Sequence, residues 1–313
     1  MEQARPIPVI VGPTASGKSE LGIKLALAAE GEIINLDSVQ VYRGLYVATA
    51  KVPLEERRGV PHHLIDIAEP TENFTAGDYA EVAAQIIGEI ESRSRMAILV
   101  GGTGFYLRAL VRPLFEGPKT DLKLRNRIMK LRDRHGEEHL HRLLARVDQK
   151  AASQINPRNW SRAMRALEVY FQTGSQISES QLQTPEPPPF APRVRVIALA
   201  PAREELYERI NRRAEQMFEN GLVEEVQSLI GSGVPPDAKA FQAHGYRRVV
   251  EYLQGRRTRE DALNQMKLDT RHYAKRQLTW WRSWPDVKWI NRFGDDERAF
   301  AEASRHLGFD IRS

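Results

Sequence analysis

Residues 12–19 read Gly-Pro-Thr-Ala-Ser-Gly-Lys-Ser, and no other stretch limits the possible folds of this chain as strongly. The octet fits G-x-x-x-x-G-K-[ST] at every position, with Gly12, Gly17, Lys18 and Ser19 fixed and Pro13, Thr14, Ala15 and Ser16 between them. An apolar β-branched run, IPVIV, precedes it, and ELGIKLALAAE, apolar at helical spacing, follows it. A glycine-bearing loop between strand and helix turns its backbone N–H groups toward phosphate oxygens, and the helix N-terminus adds partial positive charge. Lys18 is placed to reach terminal phosphates, and the Ser19 hydroxyl to ligand Mg²⁺. The motif leaves open whether the phosphates belong to a nucleotide, as in ATP-binding proteins, or to another diphosphate.

The pattern continues along the chain. GEIINLDSVQVY at 31–42 reads as a second buried strand running into polar residues, EVAAQIIGEIES as a helix, and MAILV at 96–100 as a third strand; RVRVIALA at 193–200 is a late fourth. Alternating helices and apolar strands predict an α/β fold with a parallel sheet covered by helices on both faces. The segment after MAILV has a different character, with no strand-like run and apolar residues three and four apart in TDLKLRNRIMKLRDRHGEEHLHRLLARVD and NWSRAMRALEVYFQTG. The expected organisation is a core of 1–118 and 190–313, with a helical C-terminal region, interrupted by a helical insertion at 119–189. A proline-rich linker, QTPEPPPFAP, ends the insertion, because proline fits neither a helix interior nor a central strand.

Charge divides in the same way. Residues 1–118 hold 11 Lys and Arg against 15 Asp and Glu, a net of −4, so with +5 overall the remaining residues carry +9. Residues 119–150 alone have 10 basic against 5 acidic side chains. A near-neutral first part suits a small-molecule site, and a basic remainder suits a polyanion such as nucleic acid, although solvated helix faces give the same count. Cysteine is absent, which removes disulfides, thiolate nucleophiles and Cys-ligated metals. No apolar window of spanning length and no leader pattern occurs in MEQARPIPVIVG, so a soluble cytoplasmic protein is expected.

The strand MAILV ends in Gly101-Gly102-Thr103-Gly104 and supplies no carboxylate of the kind that helps hold Mg²⁺ in P-loop phosphotransferases. The first acid at a strand's carboxyl end is Asp37, where open α/β sheets bind ligands. Its alternative is an N-cap. Lys275-Arg276-Gln277-Leu278-Thr279-Trp280-Trp281-Arg282 mixes cations, an amide and two indoles, a composition suited to phosphate contact and base stacking; a helix with a Trp core face and a basic solvent face has the same composition. His62 and His63 lack a third ligand and do not make a zinc site.

These residues together carry a resemblance. GPTASGKS, the DSVQVYRG-x₄-TAK block from Asp37 to Lys51, PHHLID, GGTGFYLRAL, RALEVY, RIxxRxxxM at 209–217, GLVEEV, GYRR and AKRQLTWWR occur in the order and spacing that resemble the bacterial tRNA dimethylallyltransferase family. The resemblance runs from residue 7 to about 290. It implies an enzyme that moves a dimethylallyl group from dimethylallyl diphosphate to N6 of adenosine 37, beside the anticodon, and releases diphosphate, working as a monomer with Mg²⁺. In that reading the 12–19 loop cradles the diphosphate, Asp37 takes the amine proton, Thr103 places the substrates and Arg213 binds the departing diphosphate, with Arg209 as second choice. The expected tRNA contacts are Asp37, Ser38, Val39, Gln40, Thr103, Arg125, Ser161, Arg162, Ala163, Met164, Arg165, Gln242, Ala243, His244, Gly245, Tyr246, Arg247 and the 275–282 segment. Ala48 and Val52 depart from the family's usual Gly and Pro, in a loop expected to line the substrate. Two other classes compete: a small-molecule P-loop kinase, which the missing acid disfavours, and a non-catalytic RNA-binding NTPase in which Asp37 is only a cap.

Overall fold

The computed structural model describes residues 5–115 and 117–309. Residues 1–4, part of the stretch read for a leader, lie outside them. Contacts divide the chain into two compact units, Met1–Val111 with Pro189–Ser313, and Arg112–Pro188.

The first unit is built on six parallel strands. In chain order its elements are β1 (Ile7–Val11), α1 (Lys18–Ala28), β2 (Gly31–Leu36), β3 (His62–His63), α2 (Ala76–Ser92), β4 (Met96–Gly101) and α3 (Gly104–Val111). The second unit follows with α4 (Leu122–His135), α5 (Glu137–Val147), α6 (Gln149–Gln154), α7 (Trp160–Thr173) and α8 (Ile177–Ser180). The first unit then resumes with β5 (Val194–Leu199), α9 (Arg203–Glu219), α10 (Leu222–Gly231), α11 (His244–Leu253), α12 (Arg259–Arg282), β6 (Lys288–Ile290) and α13 (Glu297–Leu307).

Strand order is β3-β2-β4-β1-β5-β6. All of β1, β2 and β4 is buried, as expected of a parallel sheet covered on both faces. Ile10, Ile33, Ile98, Val100, Ile197 and Leu199 pack against Leu21 and Leu25 of α1 and Ala303 and Leu307 of α13, while α2 and α3 pack together and α2 lies on β2 and β4. Two strands, β3 and β6, have two and three residues. Both are too short to show a period-2 pattern, so the apolar runs do not announce them.

The helices α9 to α12 form a second core with the loop that leaves β2. Val41, Tyr42 and Leu45 are buried with Met217, Phe218, Val226, Phe241, Tyr246 and Met266. That packing fixes the chain just beyond Asp37.

In the helical unit Ile128, Leu140, Leu144, Ala163, Leu167 and Val169 make the core. The unit begins at Arg112 rather than 119, because α3 of the sheet ends at Val111. Among the described residues no helix is long and apolar enough to cross a membrane.

Candidate active site

Three loops leave the carboxyl ends of the adjacent strands β1, β4 and β2, and they supply the candidate chemistry. Leaving β1, Gly12 has φ +145° and Gly17 φ +83°, and Ala15 takes the left-handed region at φ 63°. Gly12 has no room for a Cβ, which would lie 2.8 Å from the Leu199 carbonyl. Lys18 folds back over the loop, its Nζ donating to the Pro13 carbonyl at 2.7 Å. Ser16 is fully buried, and its hydroxyl has no partner among the described residues.

The β6–α13 loop clamps this segment from outside. Gly294 N–H donates to the Ser16 carbonyl at 2.9 Å. Asp295 pairs with Arg209 at 3.0 Å, and that guanidinium lies 3.6 Å above the Phe293 ring. Arg209, the second choice for a diphosphate ligand, is therefore engaged in holding the clamp. Arg213, one turn further along α9, is half-buried in the electrostatic neighbourhood of Asp37 and Lys18.

Asp37 follows β2. Its Oδ1 accepts from Val39 N at 2.8 Å and Gln40 N at 3.3 Å, and no helix begins there, so it caps a turn and the N-cap alternative falls. Oδ2 accepts nothing among the described residues. Buried Asn35 braces the turn, accepting from Asp37 N and donating to the Leu64 carbonyl. Burial pulls the Lys18 ammonium down to about 8, with Asp37 opposing and Arg213 reinforcing. The Lys51 ammonium is likewise lowered by burial, against its Asp66 partner at 2.6 Å and the more distant Asp37.

The β4 loop meets the β2 loop because glycine permits it. A Cβ on Gly101 would overlap the Leu36 backbone; without one, the Gly102 and Thr103 N–H groups both reach the Leu36 carbonyl, at 3.1 and 3.0 Å. Thr103 Oγ1 then accepts from Ser38 N at 3.0 Å. Tyr273 of α12 lies beside Thr103, and burial, with Asp37 nearby, raises the pKa of its hydroxyl. Tyr106 is raised by burial too, with Asp37 again contributing. Neither tyrosine is visible as a site residue in the sequence; Tyr273 could have been found as the residue one helical turn before Gln277.

The expected tRNA contacts separate by exposure. Lys275, Arg276, Thr279 and Arg282 share the exposed face of α12, and Ser161, Arg162, Gln242 and Arg247 are exposed too. Leu278, Ala243, Val39 and Gln40 are half-buried, and Gln40 Nε2 donates to the Thr49 carbonyl. His244 is half-buried and takes a hydrogen bond at Nε2 from Arg276, so its proton is on Nδ1. Six residues are corrected. Trp281, Tyr246 and Ala163 are completely buried, and Met164, Gly245 and Gln277 nearly so; they pack the molecule rather than present themselves to a ligand. Ala274, Gln277 and Trp281 mark the buried face of α12 at i, i+3 and i+7. Trp280 is half-buried with its indole edge against Gly104. Arg165 donates to the Pro118 carbonyl at 2.9 Å, and Arg125 is held by Glu168. Ala48 and Val52 are half-buried, Ala48 against Gly245 and Val52 on the sheet core.

The loops at the sheet's carboxyl edge, with helix α9, thus bring a carboxylate, a lysine and a half-buried arginine into one electrostatic neighbourhood, the equipment of a transferase whose leaving group is an anion. The profile of the family described as IPP transferase matches residues 40–284. A tRNA dimethylallyltransferase of Solibacter usitatus is 43% identical over 97% of this chain and 99% of the relative. The full-length tRNA isopentenylpyrophosphate transferase of Bacillus halodurans superposes with a TM-score of 0.72 at 38% identity, over 97% of this chain and 96% of that one. A eukaryotic dimethylallyltransferase captured acting on tRNA gives 0.79 at 26% identity, over 99% and 81%. The chain belongs to the IPP transferase family.

Proposed function

We propose that the protein transfers a dimethylallyl group from dimethylallyl diphosphate to N6 of adenosine 37 in the anticodon loop of tRNA. The observation that carries this reading is that Lys18, folded over the loop after β1, and Asp37, after β2, stand at the same carboxyl edge of the sheet and, with Arg213 of α9, act on one another electrostatically. A carboxylate with one free oxygen beside two cations suits a reaction that takes a proton from one partner while an anion leaves the other.

The donor's diphosphate lies in the 12–19 loop, against its backbone N–H groups, Lys18 and Arg213. The adenine amine approaches Asp37 Oδ2, which accepts its proton. As N6 forms its bond to the allylic methylene, the carbon–oxygen bond breaks and the electron pair leaves with the diphosphate, whose growing charge Lys18 and Arg213 offset. Thr103, held by Ser38, fixes the acceptor beside Asp37. The Ser19 hydroxyl makes no hydrogen bond among the described residues, and a hard cation that keeps waters and takes phosphate oxygens asks for little more from the protein. Mg²⁺ held there with the diphosphate would supply further charge neutralisation. No cluster of three acidic or histidine ligands exists among the described residues, which suits a metal that arrives with its diphosphate.

The target base must leave its stack to enter such a site, and exposed Lys275, Arg276 and Arg282 provide phosphate contacts for the RNA. One chain supplies Asp37, Lys18, Thr103 and Arg213, so a monomer suffices, and its place of work is the cytoplasm. Incubation with labelled dimethylallyl diphosphate and bulk tRNA tests the proposal: label should move to RNA and appear on N6 of adenosine 37. Retention of RNA without transfer would instead indicate a binding protein.

A further inference from the structure

We infer that Gln277 is a positioning residue that fixes the separation between the diphosphate loop and Thr103, and so the distance from donor to acceptor; this rests on the prenyl-transfer reading above. Gln277 projects from α12 into the sheet's carboxyl edge and is 5% exposed. Its Oε1 accepts from Thr14 N at 2.9 Å, and its Nε2 donates to the Gly102 carbonyl at 3.1 Å. The two partners stand in the loops that leave β1 and β4, neighbouring strands of the sheet. A Cβ at Gly102 would overlap Nε2 and displace the amide from its bridge.

A primary amide is suited to this bridge because it accepts at one end and donates at the other, and both ends are used. The consequence for the diphosphate loop is specific. The Thr14 N–H, one of the amides that such a loop offers to phosphate, is bonded to Gln277, so the loop's shape is set from α12. One turn back on the same helix Tyr273 lies beside Thr103. Through Gln277, helix α12 therefore ties the acceptor loop to the donor loop. Composition places Gln277 among RNA contacts, and its burial places it behind them.

The test compares native chain with Gln277→Met, which keeps the length and loses both bonds, and Gln277→Glu, which keeps the acceptor and loses the donor while ionised. Both variants should bind tRNA within about two-fold of native. The KM for dimethylallyl diphosphate should rise on the order of ten-fold, and kcat should fall, since two buried hydrogen bonds are broken. Activity of the Glu variant relative to native should recover as pH falls and its carboxyl regains a proton to donate to Gly102; the Met variant should show no such recovery. Loss of tRNA affinity with an unchanged donor KM would overturn the inference and make Gln277 an RNA contact. Hydrogen exchange on the native chain needs no variant: the Thr14 amide should be protected without diphosphate, and rapid exchange would overturn the bridge. Failure of native chain to transfer any label would sink the prenyl-transfer reading alone, leaving Thr14 protection to be judged by itself.

Discussion

Arg125 and Glu168 form a two-pronged ion pair inside the helical unit: Nη2 lies 2.9 Å from Oε2, Nε bonds Oε1, and the Glu168 side chain is completely buried. Arg165 adds a second cation at 3.6 Å. A guanidinium expected to meet tRNA is therefore committed to a carboxylate 43 residues further along the chain.

Arg125→Ala should accordingly destabilise the helical unit by about 3 kcal/mol, because a buried carboxylate loses its principal partner. Urea unfolding would show this, with proteolysis confined to 112–188. Replacing both partners, Arg125→Met with Glu168→Leu, should restore most of the stability, since an apolar pair needs no compensation. If Arg125 worked mainly on RNA, the single variant would keep its stability and lose about one unit of log–log salt slope.

Asp37→Asn separates the carboxylate's two roles. The asparagine side-chain oxygen still accepts from Val39 and Gln40, so the turn survives while the base is lost. Transfer should fall by roughly 10²–10⁴, with tRNA affinity within a few-fold, as expected for general-base catalysis. Asp37→Ala should lose the turn as well and show a wider change in tRNA binding. Equal losses of binding and activity in Asp37→Asn would make the residue structural.

Lys18 sets a pH limit on donor binding. In the proposed reaction the ammonium binds diphosphate and the free amine does not, and in the free protein burial holds the pKa at about 8. As pH rises through that value the protonated fraction falls, so kcat/KM for dimethylallyl diphosphate should decline above it. The diphosphate's own charge favours the ammonium, so kcat should decline only at higher pH. Lys18→Ala should bind the donor weakly and lose this inflection; the same inflection in the variant would assign it to another group.

The sheet and most of the catalytic edge are legible in the sequence because their signals are local. IPVIV, GEIINL, MAILV and VRVIAL are apolar runs long enough to show themselves, and Gly12 to Ser19 fixes the first turn. What cannot be read is set by partners far away in the chain. Nothing near Arg125 announces Glu168. The 275–282 segment has the composition of an RNA contact, yet helical phase turns Gln277 and Trp281 inward and leaves Lys275, Arg276 and Arg282 outside. Phase, with Ala274 as the reference for the buried face, would have divided that segment correctly. Arg213 and Arg209 are four residues apart on α9, and only Asp295, at the far end of the chain, decides which of them is occupied elsewhere.

Gly294→Ala tests the clamp on the donor loop. A Cβ at Gly294 would lie close to the Gly17 carbonyl, and backbone cannot give way as a side chain does. The loop should shift, raising the KM for dimethylallyl diphosphate by about ten-fold or more, as misplacement of positioning groups does. Asp295→Ala is the milder companion: its pair with Arg209 is exposed, and loss should cost under about 1 kcal/mol. An unchanged donor KM in Gly294→Ala would show that the β6–α13 loop takes no part.

The two faces of α12 should respond to mutation in opposite ways. Trp281 is completely buried and packs edge-on to Trp284, so Trp281→Ala should destabilise the fold by about 3–5 kcal/mol through the cavity it leaves. Lys275→Ala and Arg282→Ala, on the exposed face, should leave the melting temperature nearly unchanged. If each side chain makes one phosphate contact with a loop-bound RNA, as proposed, each variant should reduce the slope of log affinity against log salt by about 0.7, the single-strand value, and raise the KM for tRNA. The donor KM should stay constant, because neither side chain reaches the 12–19 loop. A flat salt dependence in native enzyme, or full tRNA affinity in a variant carrying both Lys275→Ala and Arg282→Ala, would mean that the RNA is held by some other face.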